Sequence, residues 1–411
     1  MGAPTLGFKS IIDELGGEAA FAYLARAKEL ASKGINVINF GIGQPDIPTF
    51  DHIIKAAKDA LDARFTGYTE TVGIRELREA ISEYINRRYN SDVKPSEIIL
   101  TPGAKCALFL AIAAYLREGD EIIVPEPTFP AYPEVAKFFG AKPVYVPLKW
   151  LGGDGGFTLD LDAIERAMTS RTKMIVINNP HNPTGKLFTK EEIEELMALA
   201  KKRGIIVLAD EIYDHFVYDE ANFKSLLSLP EWRDYVVYVN GFSKTYSMTG
   251  WRLGYLIARE DVTSKLSKLA VNVYSCPNSF VQKAAIEAIK GSGESIKRMI
   301  NLFRERRDFI YARLREVYGF DVWPSKGAFY IFPNISRVLN EARLSVEEFV
   351  SHLLMNYGVV VLPGTAFPEN AGKEFIRISF AVDLKDIDEG VKRIKECVSD
   401  LINKKRLARP I

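Results

Sequence analysis

Between Ile98 and Ala258 the chain repeats one arrangement: a short β-rich run, then a stretch that suits a helix or a loop. Seven such runs stand out: Ile98 to Leu100, Glu121 to Val124, Pro143 to Pro147, Lys173 to Ile177, Gly204 to Ala209, Tyr235 to Val239 and Gly254 to Ala258. Helix-compatible segments such as Lys105 to Leu116, Leu159 to Met168 and Lys190 to Lys202 follow most of them. This alternation predicts an α/β fold, with a mainly parallel seven-stranded sheet sandwiched by helices. Between Val239 and Gly254 no long helix fits, yet a crossover to a parallel neighbour takes about a dozen residues or more. The seventh strand is therefore expected to run antiparallel to the sixth.

A chain of 411 residues exceeds the size at which one core usually stops growing. Residues 51–290 are expected to form the large domain and residues 291–411 a smaller α+β domain. The latter would hold a charged amphipathic helix over Glu294 to Val317, strands near Phe329 to Phe332 and Phe375 to Ala381, and a helix near Val346 to Asn356. Residues 1–50 form an N-terminal segment whose helix, Glu18 to Ser32, stops at Lys33-Gly34 and is expected to pack with the C-terminal part.

Several function classes fit poorly. Net charge is +1, from 54 basic and 53 acidic side chains, which provides no long-range field to attract nucleic acid or an anionic membrane. No apolar run approaches the roughly 18 residues that span a bilayer, and Met1 to Ser10 lacks the apolar core of a secretory signal. Cys106, Cys276 and Cys397 are odd in number and far apart, as in a reducing compartment, so a cytoplasmic location is expected. His52, His181, His215 and His352 show no metal-ligand spacing, and no metal site is expected. Only two glutamines, Gln44 and Gln282, accompany abundant Lys, Arg and Glu, a bias associated with thermophilic sources.

In open α/β sheets ligands bind beyond the carboxyl ends of the strands, so the residues just after each run are where chemistry should be read. After the sixth run Lys244 stands among small, hydroxyl-bearing residues, with Arg252 eight positions on. A lysine becomes a nucleophile only where burial or nearby cations disfavour its charge. After the fifth run comes Asp210, then Tyr213. A carboxylate there is costly without a cation, and a protonated ring nitrogen would satisfy it; a helix cap or an ion pair with a distant arginine would serve as well. After the fourth run Asn182 presents an amide from a loop stiffened by Pro and Gly, which could equally be a plain turn. After the first run Gly103 and Ala104 open a helix whose free backbone amides can hold an anion. After the second, Phe129 is placed either to stack on a planar ligand or to pack in the core.

An amine, a carboxylate for a ring nitrogen, an amide and a phenol for a ring oxygen, and an arginine plus helix terminus for phosphate describe pyridoxal phosphate piece by piece. From about Ile38 to Ala381 the sequence also resembles the class I and II aminotransferases of fold type I, nearest the aspartate, alanine and aromatic group. The resemblance rests on Asn182-Pro-Thr-Gly185, Asp210-Glu-Ile-Tyr213, Ser243-Lys244 followed by Gly250-Trp-Arg-Leu-Gly-Tyr255, and Arg377 in Ile376-Arg-Ile-Ser379. It implies an aspartate-aminotransferase-like fold and a ping-pong transfer of an α-amino group from an aspartate, alanine or aromatic donor to a 2-oxo acid such as 2-oxoglutarate. Lys244 resembles the Schiff-base lysine, Asp210 the partner of the pyridine nitrogen, and Asn182 and Tyr213 the residues that hold the ring oxygen. Gly103, Ala104, Ser243 and Arg252 match the phosphate cup. Arg377, helped by the backbone at Gly43, resembles the group that grips the substrate carboxylate. Tyr68 matches a tyrosine that reaches the phosphate of a neighbouring subunit, which implies a homodimer.

Two departures mark this chain. Gly241 stands where the family often has a serine, and no arginine occurs between Ala270 and Gln282 to meet a substrate's second carboxylate. Lys105 could meet it as a point charge or simply face solvent. Phe21, Tyr274 and Asn278 are further candidates to line the pocket. Two rival readings remain at this stage: a lyase or synthase on the same scaffold, and a non-catalytic module that senses the cofactor.

Overall fold

The computed structural model describes residues 10–407 apart from 18, 220, 221 and 369. The beginning of the N-terminal segment, up to residue 9, thus lies outside the described residues.

All seven runs form one sheet, in the order Ile98–Thr101, Gly254–Ile257, Val236–Gly241, Ile206–Asp210, Thr172–Asn178, Glu121–Glu126, Lys142–Pro147. Gly254–Ile257 is antiparallel to both its neighbours, as the short connection after Val239 requires, and the remaining pairings are parallel. Alternate residues of the central strands enter two different cores. Ile175, Ile177, Val207 and Ala209 face one layer of helices, while Met174, Val176 and Leu208 face the other. Both layers exclude water, so neither face carries the polar alternation of a half-exposed sheet.

Local signals set the helix ends. Thr189 and Glu192 close a capping box at the start of Lys190–Arg203, and Gly204 ends it in the left-handed conformation at φ 65°. Ser345, Glu348 and Gly358 repeat the device around Val346–Tyr357.

A further core joins both ends of the chain. Ile38 and Phe40 pack with Phe303, Phe349, Ile376 and Ile394, and the helix Ala19–Ser32 buries Ala27 and Leu30 against Leu354 and Val360. Ile38–Asn39 pairs in parallel with Val359–Val360, a strand too short to be read from the sequence. Beside it Tyr330–Ile331, Ile376–Ser379 and Leu362–Pro363 make a three-stranded antiparallel sheet. The segment after Asp210 crosses into this core, where Ile212, Tyr213 and Phe216 are buried. Two sheets thereby converge on one cleft.

Candidate active site

The cleft has a volume of about 610 Å³ and gathers Gly43, Ala104, Lys105, Phe129, Asn182, Asp210, Tyr213, Ser243, Lys244, Arg252 and Arg377. These residues come from segments more than 300 positions apart, and the carboxyl edge of the large sheet explains their meeting. Asn178 and Asp210 are paired terminal residues of adjacent parallel strands. The antiparallel strand contributes its first residue, Gly254, to the same edge, opposite Thr101 and Gly241.

The Lys244 amine donates to the Gly43 carbonyl at 2.6 Å. Burial, then the positive charges of Arg377 and Arg252, push it down to about 8 against the opposing pull of Asp210. Asp210 is 4% exposed and accepts from the Tyr132 hydroxyl at 2.7 Å and the Ile212 amide at 3.1 Å. Burial raises its carboxyl to about 6, with those two donors and Lys244 acting in the other direction. Among the described residues Asp210 is therefore held by neutral donors, without an arginine, and a cation brought against it would relieve the cost of burying its charge. Asn178 ties the two strand ends together, its side chain donating to the Asp210 carbonyl at 2.9 Å and accepting from the Asn182 backbone N–H at 2.8 Å.

Arg377 is 4% exposed, with its guanidinium between the faces of Tyr330 and Phe367, at 4.3 and 4.8 Å. It donates to Asn182 Oδ1 at 3.0 Å and to the Gly41 carbonyl at 2.6 Å. Its buried Nε has no partner among the described residues. A buried guanidinium N–H left without an acceptor is a group prepared for an incoming anion.

At the other end of the cleft the helix Ala104–Tyr115 begins after Gly103, whose φ is 83°. A Cβ on Gly103 would collide with the Arg252 guanidinium, and one on Gly254 with the Ala104 amide. This backbone cradle fits a phosphate at a helix N-terminus, with Arg252 as the cation. Gly241 has a structural reason: its Cβ would sit 3.1 Å from Gly254 Cα and from the Leu253 carbonyl. Lys105 stands at the exposed rim, its amine 5.3 Å from the centre of the Phe129 ring.

Tyr68, expected to reach a neighbouring subunit, lies outside this chain's own cleft and is 92% exposed. Tyr274 and Asn278 do not line it, and Tyr274 instead donates to the Leu100 carbonyl at 2.9 Å. The side chain of Phe21 is outside the described residues. Among residues the sequence reading passed over, Gly41, Tyr132, Asn178 and Tyr330 all belong to the site, where Tyr330 and Tyr213 share a hydroxyl contact of 2.8 Å.

Comparisons with known proteins agree with this arrangement. The family model described as aminotransferase class I and II matches residues 35–394. An aspartate aminotransferase of Sulfurisphaera tokodaii is 49% identical over 400 residues, covering 97% of this chain and 99% of that one. One from Sulfolobus acidocaldarius is 48% identical over 389 residues, covering 94% and 96%. The solved structure of Thermus thermophilus aspartate aminotransferase with maleate superposes with a TM-score of 0.89 at 32% identity, covering 95% of this chain and 99% of that one.

Proposed function

Because this chain belongs to the class I and II aminotransferases, we propose that it moves the α-amino group of aspartate to 2-oxoglutarate. It is a pyridoxal-phosphate-dependent transaminase. Three features of the cleft fit that cofactor: the backbone cradle that a Cβ on Gly103 or Gly254 would fill, the Asp210 carboxylate buried with no arginine bound to it among the described residues, and the amine of Lys244 in the same cleft.

In this reading Lys244 holds the cofactor covalently, and Asp210 meets its ring nitrogen. Asn182 and Tyr213 meet its ring oxygen, Phe129 stacks on its ring, and Gly103, Ala104, Ser243 and Arg252 hold its phosphate. When bound, pyridoxal phosphate supplies an electron sink that loosens the proton on the carbon bearing the amino group. Arg377 takes the substrate α-carboxylate, offering the unpartnered Nε within a rigid aromatic sandwich. The Lys244 amine, lowered to about 8, is neutral often enough near pH 7 to take the proton from the substrate α-carbon and later give it up. Lys105 at the rim serves as a point charge for the distal carboxylate, a role that the names of the relatives favour. Tyr68, exposed and outside the cleft, supports a homodimer in which it enters the neighbouring site. A cytoplasmic location agrees with three free cysteines and with no described helix being long and apolar enough to cross a membrane.

The single observation that carries this reading is the placement of Lys244, Asp210 and Arg377 around one cleft. The test follows the cofactor's visible absorption. Lys244→Ala should keep its circular dichroism, lose the covalent band and lose activity by about 10⁴-fold or more. In the intact enzyme aspartate and glutamate should change the band fastest. A faster response to alanine or tyrosine would refute the acidic preference, and release of ammonia without amino transfer would favour a lyase.

A further inference from the structure

Tyr330 lies at the crossing of three functional groups, and the scheme above gives its hydroxyl no role. It is 1% exposed, on the strand Tyr330–Ile331 of the three-stranded sheet, opposite Ser379 and two residues in register from Arg377. Its ring lies under the Arg377 guanidinium at 4.3 Å. Its hydroxyl is 2.8 Å from that of Tyr213, three residues beyond the large-sheet strand Ile206–Asp210. The same oxygen occupies the space a Cβ would need on Gly43, whose carbonyl receives the Lys244 amine. Ser325 fixes the backbone by donating to the Tyr330 carbonyl.

We infer that Tyr330 is a positioning residue, its hydroxyl aiming the Tyr213 proton into the cleft while its ring holds the plane of Arg377. Either hydroxyl could donate across this contact. The proposed function asks Tyr213 to give its hydrogen to the ring oxygen, which leaves its lone pairs for Tyr330, so in this inference Tyr330 donates to Tyr213. Tyr213 then points its own hydrogen elsewhere, and a hydroxyl that accepts one bond donates the next more strongly. A stronger donor stabilises the anionic oxygen it faces, and a proton shared between that oxygen and Lys244 is released more easily. One side chain thus joins the hold on the carboxylate to the proton balance at the lysine. The other charged or titratable groups around Lys244 are Asp210 with its partner Tyr132, Arg252, Arg377 and Lys105. Of these, Arg377 touches Tyr330 through the ring, which Tyr330→Phe keeps.

The inference rests on the proposed cofactor site, and the experiment separates the two. The cofactor-loaded enzyme is titrated by its visible absorption, and succinate, which is unreactive, is titrated against it. Tyr330→Phe removes one oxygen and keeps the ring. Its absorption midpoint should rise by about half a pH unit or more, with succinate affinity within about twofold of wild type. Tyr330→Leu should show the same rise and bind succinate about fivefold more weakly. Tyr213→Phe should also raise the midpoint, and the double variant Tyr213→Phe/Tyr330→Phe should titrate like Tyr213→Phe alone. A wild-type midpoint in Tyr330→Phe, or additive shifts in the double variant, would overturn the positioning role. A wild-type chain without a visible band would overturn the cofactor site, and this inference with it.

Discussion

The two ends of the cleft are built by opposite means. At the carboxylate and ring end, buried side chains hold one another: Tyr132 on Asp210, Asn182 on Arg377, Tyr330 on Tyr213. At the phosphate end the structure is mostly backbone. Gly103 and Gly254 omit side chains so that main-chain amides and the exposed Arg252 lie close together. Side chains can aim a few atoms very accurately, but each must be desolvated and satisfied. Backbone amides at a helix start need no rotamer to be fixed, and they tolerate no added atom. Accuracy is thus concentrated where a particular proton moves, and open room where a phosphate only has to be held.

Substitutions at each end should fail in different ways. The largest effect is expected for Arg377→Lys, which loses the planar fork: kcat/KM for the amino acid should fall by about 10³-fold while cofactor affinity stays near wild type. Steady-state kinetics beside a cofactor titration decide this, and equal loss of both would mean that the ends are not independent. Gly103→Ala should do the reverse, weakening cofactor affinity by roughly 30-fold because of its φ of 83° and the collision with Arg252, with kcat at saturating cofactor little changed. The smallest effect concerns Glu211, buried beside Asp210 with Oε2 unpartnered among the described residues and its carboxyl pushed by burial up to about 8. Its folded value lies above the unfolded value of 4.5, so its contribution is full below pH 4.5 and is lost as pH rises through 8. Glu211→Gln should therefore unfold a few degrees higher than wild type at pH 9, the gap closing by pH 5, as thermal denaturation of the apo-protein would show.

The backbone-built end was the more legible in sequence, because its signals are local: Pro102 and Gly103 before an apolar helix, and Arg252 eight residues from Lys244. The seven strands and the reversed direction of the last could be read for the same reason, since run length and connection length are properties of neighbouring residues. Asp210 and Asn178 belong to their strands as terminal residues because their backbones still pair with each other. Periodicity alone does not show that. Tyr330 was hidden inside an apolar run, Phe329 to Phe332, that reads as core and is core. What distinguishes it is a partner 117 positions away, brought there by sheet packing. Tyr132 escaped notice likewise, since only the folded sheet brings it to Asp210 across 78 positions.

The strand Ile38–Asn39, paired with Val359–Val360, has a consequence for how this protein comes into being. The carbonyls of Gly41 and Gly43, which receive Arg377 and Lys244, leave the ribosome well before Val359–Val360, the strand that pairs beside them. A nascent chain halted before Val359 has its lysine but no seat for it. A product truncated before Val359 would therefore lack Arg377 and the strand that pairs beside Gly41, even with its large sheet complete.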